Sequence, residues 1–76
     1  MRKSNNVREI IAEALHVSSD CITDNLGIGG IPQWDSMGNM AVIAALEEQL
    51  DIEFPIEDLF ELTSVNAIIE EIEKIS

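Results

Sequence analysis

Val7, Ile10, Ile11, Ala14 and Leu15 follow the i, i+3, i+4, i+7, i+8 spacing that gathers apolar side chains on one face of a helix. Asn6, with Glu9 three residues on, reads as a capping-box-like start, and Ser4 is the other candidate cap. The period then lapses. Residues 17–34 carry Gly27, Gly29, Gly30 and Pro32 and predict a long connection. Connections of that length inside a small domain are usually functional. Val17, Ile22, Leu26, Ile28 and Ile31 recur along it, so it should lie against the core.

A second helix is expected from Asp35 or Ser36 to about Leu50, because the Asp35 carboxylate can accept the unpaired amide protons of a first turn. From Met37 to Leu46 the run is apolar on nearly every side, interrupted only by Gly38 and Asn39. A helix apolar all round is normally surrounded by others, so this one is read as central. Gly38 in its first turn should cost up to about 1 kcal/mol relative to Ala. Pro55 is read as the first position of a short helical turn through Phe60, with Glu57 and Asp58 near its positive end. Ser64 or Thr63 should cap a last helix striped by Val65, Ile68, Ile69, Ile72 and Ile75, with Glu70 and Lys74 paired at i, i+4. Neither a strand pattern nor an internal repeat occurs. The expectation is an all-α bundle of four helices, three main and one short, with a long first loop, forming a single domain over residues 1–76.

Composition narrows the function. The chain has 76 residues, and its aromatic content is only 4%, which predicts an aliphatic core. Size scaling gives a folded surface of roughly 4,600 Å², enough for one thin core but not for a deep cleft. Fifteen acidic residues face four basic ones, for a formal charge of −11. Phosphate backbones need cations, so nucleic-acid binding is excluded. All the acids lie between Glu9 and Glu73, a stretch without Lys or Arg, and such a body steers basic partners toward it. Cys21 is alone and no apolar run approaches 18 residues, which points to a cytoplasmic monomer that does not insert in membranes.

The inventory for catalysis is thin. His16, at the end of the first helix, is the single imidazole and suits a helix-end surface position better than a general base. One Cys and one His fall short of a zinc site, and no calcium loop or phosphate loop occurs. No metal is expected and no catalytic residue stands out. Ser36 does stand out by position. It lies between the long connection and an apolar helix, directly after the cap Asp35, where a helix start favours an attached phosphate.

Trp34-Asp35-Ser36-Met37-Gly38, then Ala45-Leu46-Glu47-Glu48-Gln49-Leu50, Asp51-Ile52-Glu53-Phe54-Pro55 and Leu62-Thr63-Ser64-Val65 together resemble the acyl carrier protein family along essentially the whole chain. The resemblance implies an acyl-carrier-like bundle whose Ser36 bears a covalent 4′-phosphopantetheine arm, placed there from coenzyme A by a phosphopantetheinyl transferase that recognises Asp35. The arm's thiol would hold an acyl group as a thioester. Met37, Met40, Glu47 and Glu48 would meet acyl-loading and acyl-transferring enzymes through their basic docking patches. Met40, Leu46, Leu59, Leu62 and Ile68 are candidate walls of an acyl pocket.

Some positions depart from the family pattern. Met37 replaces the usual Leu, Gly38 and Ala41 stand where carriers of fatty-acid synthesis commonly have acids, and Trp34 stands where those carriers have a small residue. These departures imply a specialised lipid, polyketide or cell-envelope pathway. Two other readings remain open. One is an aminoacyl carrier of the D-alanyl type, and the other is an acidic helical interaction domain without a prosthetic group.

Overall fold

The computed structural model describes the backbone of residues 3–75 and the side chains of residues 7–75. Three α-helices form the frame: α1 (Lys3–Leu15), α2 (Ser36–Leu50) and α3 (Val65–Ile75). Two 3₁₀ turns, Ser19–Cys21 and Ile56–Glu61, punctuate the connections. The fourth helix of the expected bundle is therefore a 3₁₀ turn, with Pro55 in extended backbone just before it, one residue outside the expected start. No strand occurs among the described residues, only an isolated antiparallel bridge between Gly27 and Ser64. The mostly helical architecture matches the expected class.

Helix α1 runs from Lys3, and the side chains of its expected caps, Ser4 and Asn6, lie outside the described residues. Its other end closes as a Schellman motif. The Val17 amide donates to the Ala12 carbonyl (3.0 Å) and the His16 amide to the Glu13 carbonyl (3.2 Å), while His16 sits in left-handed backbone at φ 61°. Val7, Ile10, Ile11, Ala12 and Leu15 are buried, and Ala14 is only half-buried. Helix α3 buries Val65, Ile68 and Ile72, leaving Ile69 half-buried and Ile75 at the exposed end. Ser64 caps it by accepting from the Ala67 amide at 3.2 Å. Lys74 pairs with Glu71 at 3.5 Å and not with Glu70 as the spacing predicted.

Two expectations about the core need correcting. Helix α2 is not surrounded: Val42, Ile43 and Leu46 are buried, while Met37, Met40, Ala41 and Ala44 face outward. The core is also not purely aliphatic, since Trp34 is fully buried and Phe54 nearly so. Both rings fill space that branched aliphatic side chains alone leave between short helices.

The long connection is held at several points. Ile22 is buried, and Val17, Leu26 and Ile31 pack against the core, whereas Ile28 is largely open. Arg8 of α1 forms an ion pair with Asp24. Around the bridge, the Ile28 amide donates to the Thr63 carbonyl and the Val65 amide to the Leu26 carbonyl, both at 2.9 Å. Gly27 is needed there, because a Cβ would stand 2.6 Å from the Thr63 carbonyl oxygen.

Candidate functional site

The site grows from the junction of the long connection with α2. Asp35 is in extended backbone, and its Oδ1 accepts from the Gly38 amide at 2.8 Å, so the expected cap is in place. Ser36 is the first helical residue and its side chain is exposed. The first amides of any helix lack a carbonyl one turn earlier. They leave a partial positive charge beside the Ser36 hydroxyl.

Beneath this corner the packing is dense. Trp34 donates from Nε1 to Asn39 Oδ1 at 2.9 Å, which ties the connection to the first turns of α2. Its backbone amide donates to the Ile31 carbonyl (3.1 Å), and its carbonyl accepts from the Gly29 amide (2.9 Å). Gly38 lies against this folded segment, where an added Cβ would fall far inside contact distance of the Gln33 carbonyl oxygen and 3.0 Å from Leu15 Cδ2. Its cost in helix propensity is thus a condition of close approach. Trp34 is the residue that sequence reasoning missed as a support. The available signal was a single large ring two positions before Ser36.

Above the same corner the surface is apolar and open. A groove of about 370 Å³ lies beside Ser36, lined by Asn39 and Met40 of α2 and by Ile56, Leu59 and Phe60 of the second 3₁₀ turn. Of the five candidate pocket walls, Met40 and Leu59 line it. Leu46, Leu62 and Ile68 are instead buried in the core, with 2% exposure or less. Ile56 and Phe60 were not among the candidate walls, and both are exposed on the turn.

The acidic candidates separate as well. Glu48 is exposed. Glu47 is half-buried, and its Oε2 accepts from the Phe54 amide at 2.9 Å, so it braces the connection after α2. Glu71 of α3 is the one charged side chain buried among the described residues. It shares a hydrogen bond with Asp58 of the 3₁₀ turn, which raises its pKa above the ordinary 4.5. Burial and the Asp58 charge push the same way, and Lys74 opposes them.

The model of a phosphopantetheine attachment site matches residues 34–72, just over half of the chain, from Trp34 through α2 and the 3₁₀ turn to Ile72 near the end of α3. Carrier domains of this kind are not themselves catalytic, and they are where 4′-phosphopantetheine is covalently attached. The chain belongs to the phosphopantetheine-attachment family, in agreement with its resemblance to acyl carrier proteins.

Proposed function

We propose that this protein is a discrete carrier in which Ser36 bears the 4′-phosphopantetheine arm and which presents an acyl group to acyl-loading and acyl-transferring enzymes. The observation that carries the reading is the exposed Ser36 hydroxyl, on the first residue of α2, beside an apolar groove and inside the segment matched by the family. The residues present fit the group. Ser36 is open to esterification, the helix start favours a phosphodiester there, and Met40 and Leu59 offer apolar surface within the same groove. When attached, the arm supplies a terminal thiol for an acyl thioester. The chain's own part is to hold the serine in place and to leave its surroundings open. Asp35 positions it through the Gly38 amide and stands next to it for recognition by the transferase.

A specialised lipid, polyketide or cell-envelope pathway agrees with the face that α2 offers. Gly38 has no room for the acid that carriers of fatty-acid synthesis commonly bear there, and Met37 and Met40 are open beside it. Met37, Met40 and Glu48 are the partner-recognition residues in this reading, with Glu47 acting behind them as a brace. In this reading the carrier is a cytoplasmic monomer, and the exposed free Cys21 suits a reducing compartment.

The test is intact mass after incubation with coenzyme A and a broad-specificity phosphopantetheinyl transferase. A gain of one phosphopantetheinyl group, absent in Ser36→Ala, is expected. An unchanged wild-type mass, with a control carrier modified in parallel, would refute the reading.

A further inference from the structure

Asn39 shares the groove with Ser36 and is half-buried. It stands three residues along α2, so the two side chains are neighbours on one face, with Cβ atoms about 5–6 Å apart. Helical side chains lean toward the N-terminus, which brings Asn39 back toward Ser36. Trp34 fixes its orientation. An indole N–H donates and never accepts, so the carboxamide turns Oδ1 toward Trp34 Nε1, at 2.9 Å, and Nδ2 away from it. Trp34 is fully buried, which holds the ring itself in place.

Nδ2 is left as a donor without a protein acceptor among the described residues. No buried side-chain nitrogen there lacks a partner, so Nδ2 is open to solvent. The corner has need of such a donor. The Gly38 amide is spent on the Asp35 carboxylate and the Asn39 amide on the Asp35 carbonyl, which leaves the amides of Ser36 and Met37 for an anion. Asp35 itself brings a negative charge next to Ser36. No Lys or Arg lies between Glu9 and Glu73, and apart from Ser36, Asn39 and Thr63 the groove walls are apolar. An anionic group carried on Ser36 therefore depends on neutral donors at this corner.

We infer that the Asn39 Nδ2 amino group donates a hydrogen bond to the phosphodiester that joins the arm to Ser36, with the Trp34 indole holding the carboxamide in the donating orientation. The inference rests on the carrier reading of Ser36 and assigns a positioning role at that same site. A hydrogen bond to a charged acceptor is stronger than one between neutral groups, so a single amide suffices to restrain the root of the arm. The rest of the arm stays free. Trp34 acts through Asn39 and touches neither the phosphate nor the cargo, since its ring has no exposed surface.

The experiment compares the apo and holo forms of the wild type by heteronuclear NMR of the side-chain amides, with loading checked by intact mass. On loading, the Asn39 Nδ2 protons should shift and exchange with solvent about tenfold more slowly. The Trp34 Nε1 proton, bonded to Asn39 in both forms, should hold its position. Melting midpoints give a second readout, taken on apo and holo forms of wild type and of Asn39→Ala. Comparing apo with holo within each protein cancels what the substitution does to the fold alone. Loading should raise the wild-type midpoint by roughly 4–8 °C more than that of the variant. Nδ2 exchange unchanged within about twofold would overturn the inference, as would equal midpoint shifts on loading in the two proteins. Movement of Nδ2 and Nε1 together would also overturn it, because it reports a rearranged Trp34–Asn39 tie. A wild type that gains no mass, with a control carrier modified in parallel, would remove the carrier reading itself. Loading that leaves Asn39 unmoved removes only this contact.

Discussion

Replacing Gly38 by Ala sets two physical effects against each other, and the structure decides which wins. Helix propensity alone favours Ala by up to about 1 kcal/mol in an interior turn, and by less near a helix start. The added methyl, however, would collide with the Gln33 carbonyl oxygen and press on Leu15 Cδ2 at 3.0 Å and Asp35 Oδ1 at 3.3 Å. The carbonyl cannot easily retreat, because Gln33 adjoins the fully buried Trp34, whose amide and carbonyl are both bonded within the connection. Leu15 is itself 4% exposed and packed in the core. Overpacking of this kind costs about 1–3 kcal/mol, and displacement of the Asp35 cap would add about 1 kcal/mol. The net expectation for Gly38→Ala is a loss of roughly 1–3 kcal/mol, or about 4–8 °C in melting midpoint per kcal/mol for a domain of this size. Urea and thermal unfolding followed by far-UV circular dichroism would measure it. A variant as stable as wild type, or more stable, would refute the close-approach account and return Gly38 to an ordinary propensity defect.

Glu71 gives a pH-dependent test. Its folded-state pKa is raised above the ordinary 4.5, so the folded state holds this proton more tightly than the unfolded chain. Stability should therefore fall as pH rises from 4.5 through the raised value, and the penalty should persist at neutral pH. Glu71→Gln removes the titration and keeps a group able to donate to Asp58. It should be more stable than wild type at neutral pH and similar below the carboxylate range, as read from melting midpoints across pH. A less stable variant at neutral pH would mean that the 3.5 Å pair with Lys74 outweighs the repulsion from Asp58. His16, left-handed at φ 61°, gives a backbone test: His16→Gly should stabilise by roughly 0.5–1 kcal/mol in urea unfolding while His16→Ala should not. Equal gains from both would place the effect in the imidazole and not in the backbone.

Features decided within a turn or two of sequence were legible. The Asp35 and Ser64 caps, the extent of α2 and the apolar stripe of α3 depend on residues close together in the chain, and each stands where the spacing put it. What the spacing could not convey was which neighbour covers which face. Met37 and Met40 look like core residues in any hydrophobic count, yet no element crosses over them. Trp34 looked like a local departure from a family pattern, yet it fills the space below Ser36. The Lys74 partner moved for the same reason, since Glu71 faces the 3₁₀ turn and Glu70 faces water. The place of Ser36 at the start of α2 and its Asp35 cap were legible, and the groove beside it only through Met40 and Leu59. Two further walls, Ile56 and Phe60, come from a 3₁₀ turn on which they stay exposed while Leu62, just after it, is buried.

The two sides of Ser36 are built to opposite standards, and the acidic charge explains how both can coexist in so small a chain. Below, a ring, a glycine without room for a methyl and a bonded loop fix the helix start, so the hydroxyl is presented from a rigid base. Above, four apolar side chains remain in water, an arrangement that normally invites self-association. A formal charge of −11, with no Lys or Arg between Glu9 and Glu73, keeps like surfaces apart while leaving the patch free for a surface of opposite sign. The acids thus need not supply most of the binding energy to be necessary. In the carrier reading proposed here, they would oppose another copy of the same chain and favour a partner whose rim is basic.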